Sequence, residues 1–179
     1  MARYSGIAIF LHWVMAVLIP CGFGLGLVMV DLDFSPRKLA LFSYHKWIGV
    51  SAFCLVAARL AWRIAHPPPA LPANLPRWQA HAAGAVHVLL YLLMIAVPLS
   101  GWTYSSASGV PTVPFGLSAL TLPDLVPRDR ELALLLRFVH HWLNYGFAAL
   151  VGLHVLAALG HRLIDHHGVL SRMLPARNP

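Results

Sequence analysis

Apolar residues in this chain do not alternate with polar ones; they run on in long stretches. Four stand out, from about Gly6 to Val30, about Leu39 to Ile64, about Ala82 to Tyr104 and about Leu132 to Leu163. A helix needs about 20 mostly apolar residues to cross a bilayer, and each stretch is long enough. Residues 66–76, HPPPALPANLP, carry too much proline to continue a helix and predict a stiff connection between the second and third spans. Residues 110–123, VPTVPFGLSALTLP, are apolar but short and broken by Pro111, Pro114 and Pro123, which predicts a loop resting on the membrane surface. Pro20 and Pro98 fall inside the first and third stretches. They predict kinks, tolerated because neighbouring helices can satisfy the freed carbonyls. The expected fold is an all-α integral membrane protein, one domain over residues 1–179 built as a four transmembrane helix bundle with no extramembrane domain.

Composition agrees with the pattern. The chain of 179 residues is 59% hydrophobic and 11% charged, whereas a soluble domain carries about 25% charged residues. LIPC, ending at Cys21, resembles a lipoprotein cleavage site, but the apolar run continues past it and the segment is expected to stay as a helix. Cys21 and Cys54 fall mid-span, where thiols behave as small apolar side chains. No CxxCH is present, which excludes covalent c-type haem attachment.

An even number of spans puts both ends on one side. With that side cytoplasmic, Arg3, Arg59, Arg63, Arg77, Arg162, Arg172 and Arg177 lie inside, against Arg37, Lys38, Lys46, Arg128, Arg130 and Arg137 outside. The rule counts basic residues, so the expectation is a bacterial inner membrane protein with both termini cytoplasmic.

Histidine supplies the chemistry. His140 and His154 are fourteen residues apart in the last span, which on a helix returns to within about 40° of the same face with a rise of about 21 Å. His141 is about 140° away from His154 and is expected to face the headgroups or another helix. His12 lies about seven residues into the first span and His45 about six into the second. Antiparallel packing therefore pairs His12 with His154 on the cytoplasmic side and His45 with His140 on the outer side. An intramembrane ionisable group is costly unless paired or used. Facing imidazoles inside an apolar bundle are what a b-type haem iron takes as axial ligands.

The segments SGIAIFLHW, SYHKWIGVSAFCLVAARLAWR, HVLLYLLMIAVPLSGW and HHWLNYGFAALVGLHVLAALGHR together resemble the bacterial cytochrome b561 family. The resemblance covers nearly the whole chain, including LSRMLP near its end. It implies two haem b groups, held by His12 with His154 and by His45 with His140, the same pairs that the depths give. It also implies ubiquinone or another quinone as membrane partner, and some family members are superoxide oxidases.

Histidine on both faces of an iron leaves no open position, so one-electron transfer is the chemistry expected there. The expected activity is that of a superoxide:ubiquinone type oxidoreductase, with the lipid bilayer and quinone as partners and no nucleic acid. Lys46, Arg37, Lys38 and Arg137 could steer an anion to the outer face. His161, Arg77 and His87 are candidates for a quinone pocket, with His81 and Arg162 within reach and His87 the alternative iron ligand to His12. Arg59, Arg63 and Arg162 are expected to snorkel to lipid phosphate. Two alternatives stay open. The same haem module could anchor a larger dehydrogenase or hydrogenase with a soluble redox partner, although the short loops favour a stand-alone protein. A metal transporter could use the same histidines, but it would need carboxylates or broken helices near the midplane, and none of the six acidic residues lies there.

Overall fold

The computed structural model describes residues 3–70, 76–163 and 170–174. Four long helices dominate: α1 Gly6–Val30, α2 Pro36–Ala65, α3 Arg77–Ala107 and α4 Arg130–Leu163. All four are long and apolar enough to cross a membrane, and no strand occurs among the described residues. The chain is an all-α four-helix membrane protein.

Three of the four helices start at a side-chain cap, whereas α3 follows Pro76 with none. Ser5 Oγ accepts from the Ala8 amide at 3.3 Å, and Ser35 Oγ from the Lys38 amide at 3.3 Å with Pro36 opening α2. Asp129 Oδ1 accepts from the amides of Glu131 at 2.9 Å and Leu132 at 3.0 Å, satisfying orphan donors of α4. The helices outrun the apolar stretches. α3 begins at the polar RWQAH and continues past Tyr104 to Ala107, because intrahelical hydrogen bonds persist in the headgroup zone where hydropathy has already fallen. Pro20 and Pro98 sit within continuous helices.

α1 packs chiefly on α2, α3 on α4, and α2 joins the two halves by packing on α3. The enclosed core is small: Leu90 and Val97 of α3 with Phe147 of α4, against which Ile19, Met94 and Leu143 pack. α1 meets α4 at few places, one being Phe23 against Tyr145 with ring centroids 5.7 Å apart. Outward-facing Phe10, Val17, Ile64 and Leu156 are exposed, as suits side chains whose solvent is lipid.

The 110–123 segment does more than rest on a surface. It forms two short 3-10 turns, Pro114–Gly116 and Ser118–Leu120, tied back to the helices. Trp47 Nε1 donates to the Val113 carbonyl at 2.9 Å, Lys46 Nζ to those of Val110 and Pro111 at 3.2 and 3.1 Å, and Trp102 Nε1 to that of Pro123 at 3.0 Å. Phe115 turns at φ 55° to lay its ring 5.8 Å from that of Trp47. At the other side of the bundle the tail closes on α1. Trp13 Nε1 donates to the Met173 carbonyl at 2.7 Å, the Tyr4 amide to that of Arg172 at 3.4 Å, and Arg3 to that of Leu174.

Candidate functional site: two facing histidine pairs

In the half of the bundle nearer the 110–123 segment (outer in the expected orientation), His45 of α2 and His140 of α4 face each other with ring centroids 6.1 Å apart. Both rings are fixed through Nδ1. That of His45 donates to the Gly22 carbonyl at 3.0 Å, while that of His140 lies 3.1 Å from the Val97 carbonyl and 2.9 Å from Ser100 Oγ. A proton held on Nδ1 leaves the Nε2 lone pair for a metal, and such a second hydrogen bond also makes the ligand more basic. Both rings line a cavity of about 290 Å³ whose other walls are mainly apolar side chains such as Phe23, Ile48, Met94 and Phe147. Glycine makes the room. A Cβ on Gly26 would stand 3.4 Å from His45 Cε1, and one on Gly101 only 2.9 Å from His140 Cε1.

In the half nearer Met173 (inner in that orientation), His12 of α1 and His154 of α4 have centroids 6.3 Å apart. His87 of α3 also reaches His154, at 5.3 Å, with its Nδ1 donating to the Ala83 carbonyl at 2.7 Å. A metal–imidazole bond of about 2.0 Å plus about 1.2 Å from ring nitrogen to ring centre puts trans ligands about 6.4 Å apart, centre to centre. His12 with His154 matches that span, as does His45 with His140; His87 with His154 is about an ångström short. In both facing pairs the spacing of the imidazoles suits a haem iron between them. Among the described residues no three His, Cys, Asp or Glu side chains converge on a point that a bare ion could occupy.

Arg59 departs from the sequence expectation. Instead of reaching to lipid phosphate it turns into the bundle. Its Nε donates to Tyr91 Oη at 3.0 Å, its Nη1 to the Ala8 carbonyl at 3.4 Å, and its Nη2 lies 3.4 Å from His12 Nδ1. The Arg63 guanidinium sits over the other side of Tyr91, 5.8 Å from the ring centre. The sequence signal for this arrangement was weak, because a basic residue near the end of an apolar run reads the same whether it faces lipid or a tyrosine.

The remaining candidates disperse. His141 lies outside the pairs, exposed and edge-on to Tyr145 at 4.8 Å. Arg77 opens α3 ten residues before His87, about 15 Å along the axis, and so does not join the inner cluster. His161 is half-buried in the last turn of α4, about 10 Å from His154 along the axis. Of the outer basic residues, Lys46 is committed to the loop carbonyls and Lys38 caps α1 through the carbonyls of Val30 at 3.4 Å and Leu32. Arg37 and Arg137 are exposed at that side.

Four apolar helices with imidazoles facing across their interior define an integral membrane bundle built around a metal-bearing cofactor. The chain belongs to the prokaryotic cytochrome b561 family, whose sequence model matches residues 3–176. It is thus a member of a family of membrane electron carriers that bind haem b. It is 34% identical over 176 residues to cytochrome b561 homolog 2 of Escherichia coli K12, covering 96% of this chain and 91% of that one. It is 28% identical to cytochrome b561 homolog 1 of the same organism, covering 99% of each. A third relative, the "Probable superoxide oxidase CybB" of Yersinia pestis, is 27% identical over 98% of this chain and 97% of its own.

Proposed function

We propose that this protein is a two-haem cytochrome b that takes single electrons at the outer face of a bacterial inner membrane and delivers them to quinone near the cytoplasmic face. The observation that carries the reading is the pair of imidazole pairs, 6.1 and 6.3 Å between centroids, strung along α4. His45 and His140 hold the outer haem iron, and His12 and His154 the inner one. Haem b supplies reversible one-electron chemistry at each site. The protein's own part would be to hold each iron between two imidazoles, which leaves oxygen species no place on it, and to keep water from the apolar cavity.

Superoxide is the outer donor we favour, supported by the name of the Yersinia relative and by Arg37 and Arg137 exposed beside the outer site. Two superoxide anions give up one electron each and leave as dioxygen. One quinone takes both electrons and two protons to become quinol. His161, beyond His154 on α4, donates a hydrogen bond to a quinone carbonyl and relays a proton. His87 lies closer in and shapes the same region, while Arg77 marks its membrane edge. Both termini face the cytoplasm. The test is direct: purified protein should carry two haem b per chain and reduce ubiquinone when fed superoxide. A protein without haem would sink the reading, and one that superoxide reduces no faster than it dismutates would lose the superoxide donor.

A further inference from the structure

The two histidine pairs have unlike electrostatic surroundings. Among the described residues the hydrogen-bond partners of the outer rings are neutral, the carbonyls of Gly22 and Val97 and the hydroxyl of Ser100. Lys46, next to His45 in sequence, holds its ammonium on the carbonyls of the outer loop. The inner pair instead has a permanent cation beside it. Arg59 is half-buried, and its Nη2 lies 3.4 Å from His12 Nδ1. Tyr91 Oη and the Ala8 carbonyl hold the rest of the guanidinium in place.

Ligation through His12 Nε2 leaves the proton on Nδ1. Arg59 Nη2 then gives up its contact with that atom, while Nε on Tyr91 keeps the cation within a few ångströms. A guanidinium stays charged at any working pH. A fixed positive charge disfavours the oxidised iron, which carries one more positive charge than the reduced iron, and at this range through a protein interior the effect is about tenfold. Carbonyl acceptors on the outer rings act in the opposite sense, since they make the ligands more basic and favour the oxidised iron.

We propose that Arg59, held by Tyr91, is a positioning residue that raises the reduction potential of the inner haem above that of the outer one and so sets the inward direction of electron flow. This rests on the two-haem reading above. The electron passed inward leaves the outer iron oxidised and the inner iron reduced, with no bond made or broken. Tyr91 is the second component of the device, because without its hydroxyl Arg59 is free to swing out to lipid phosphate as the sequence alone suggests.

The experiment is a spectroelectrochemical titration of the haem-loaded protein, with haem content measured alongside. The wild type should give two separate one-electron waves. Arg59→Gln should lower the upper wave by about tenfold in its reduction equilibrium, about 59 mV for a one-electron couple, and leave the lower wave and the haem content unchanged. Arg59→Lys keeps the charge and should retain most of the separation. Tyr91→Phe should lower the upper wave in the same direction by less, and decides the matter if Arg59→Gln does not load. Unchanged waves in Arg59→Gln, or in Tyr91→Phe where that variant decides, would overturn the inference, as would a shift confined to the lower wave. A wild type with fewer than two haems would instead overturn the reading beneath it, and this inference with it.

Discussion

Gly101 of α3 lies edge-on against His140 of α4, so close that a Cβ there would stand 2.9 Å from Cε1 and 3.3 Å from Nδ1 of the ring. The contact places a missing side chain and the imidazole proposed to hold iron in the same volume. Gly101→Ala should push the imidazole off its Val97 and Ser100 partners. Overpacking of this kind costs about 1–3 kcal/mol, so retention of the outer haem should fall roughly tenfold. Gly26→Ala, with 3.4 Å to His45 Cε1, should change it much less. Haem-to-protein ratios after gel filtration measure both.

The ligand assignment has its own signature. His45→Ala and His140→Ala should each lose one haem, and His12→Ala and His154→Ala should each lose the other. Bound cofactor stabilises the folded state, so every one of these variants should also melt earlier. His87→Ala should keep both haems, since its 5.3 Å approach to His154 is too short for a trans pair. Two haems in His12→Ala and one in His87→Ala would exchange the roles of these residues.

At the proposed outer face three of the basic residues should separate into two groups. Lys46→Met removes the donor to the Val110 and Pro111 carbonyls, and should raise hydrogen exchange in the 110–123 segment. Arg37→Gln and Arg137→Gln should leave that exchange alone, slow haem reduction by superoxide severalfold and flatten its dependence on salt, because steering is screened over about 10 Å at 0.1 M. Loss of the salt dependence in Lys46→Met without any loosening of the loop would contradict this division.

His161→Gln should preserve haem content and reduction by superoxide, yet slow reoxidation by quinone at least tenfold, the range typical of a lost proton-transfer group. Stopped-flow traces of haem reduction and reoxidation resolve the two steps. Slowed haem reduction with normal reoxidation would move His161 away from the quinone.

Much of this architecture was readable from the chain because a bilayer leaves few choices. Backbone groups in lipid must be satisfied within a helix, so four apolar runs could only become four spans, and a fixed rise per residue turned histidine positions into depths. What stayed hidden depended on sideways packing. Nothing in the run around Arg59 says that it points at Tyr91 and not at lipid. Gly101 and Ser100 look like two small residues in an apolar stretch until the His140 ring is placed between α3 and α4. The prolines of 110–123 marked a break, but the grip of Lys46 and Trp47 on that segment depends on where α2 ends in space. Helix limits were blurred for another reason, since Arg77 and Ala107 lie where the apolar run has ended and the helix has not.

α4 supplies one imidazole to each facing pair, and it is the latest of the four spans to leave the ribosome. While α1 and α2 are already in the membrane, His12 and His45 each lack the α4 imidazole that they will face. On the proposed ligand assignment neither facing pair can form until α4 is in the membrane, so a chain stalled before α4 should load haem at neither level.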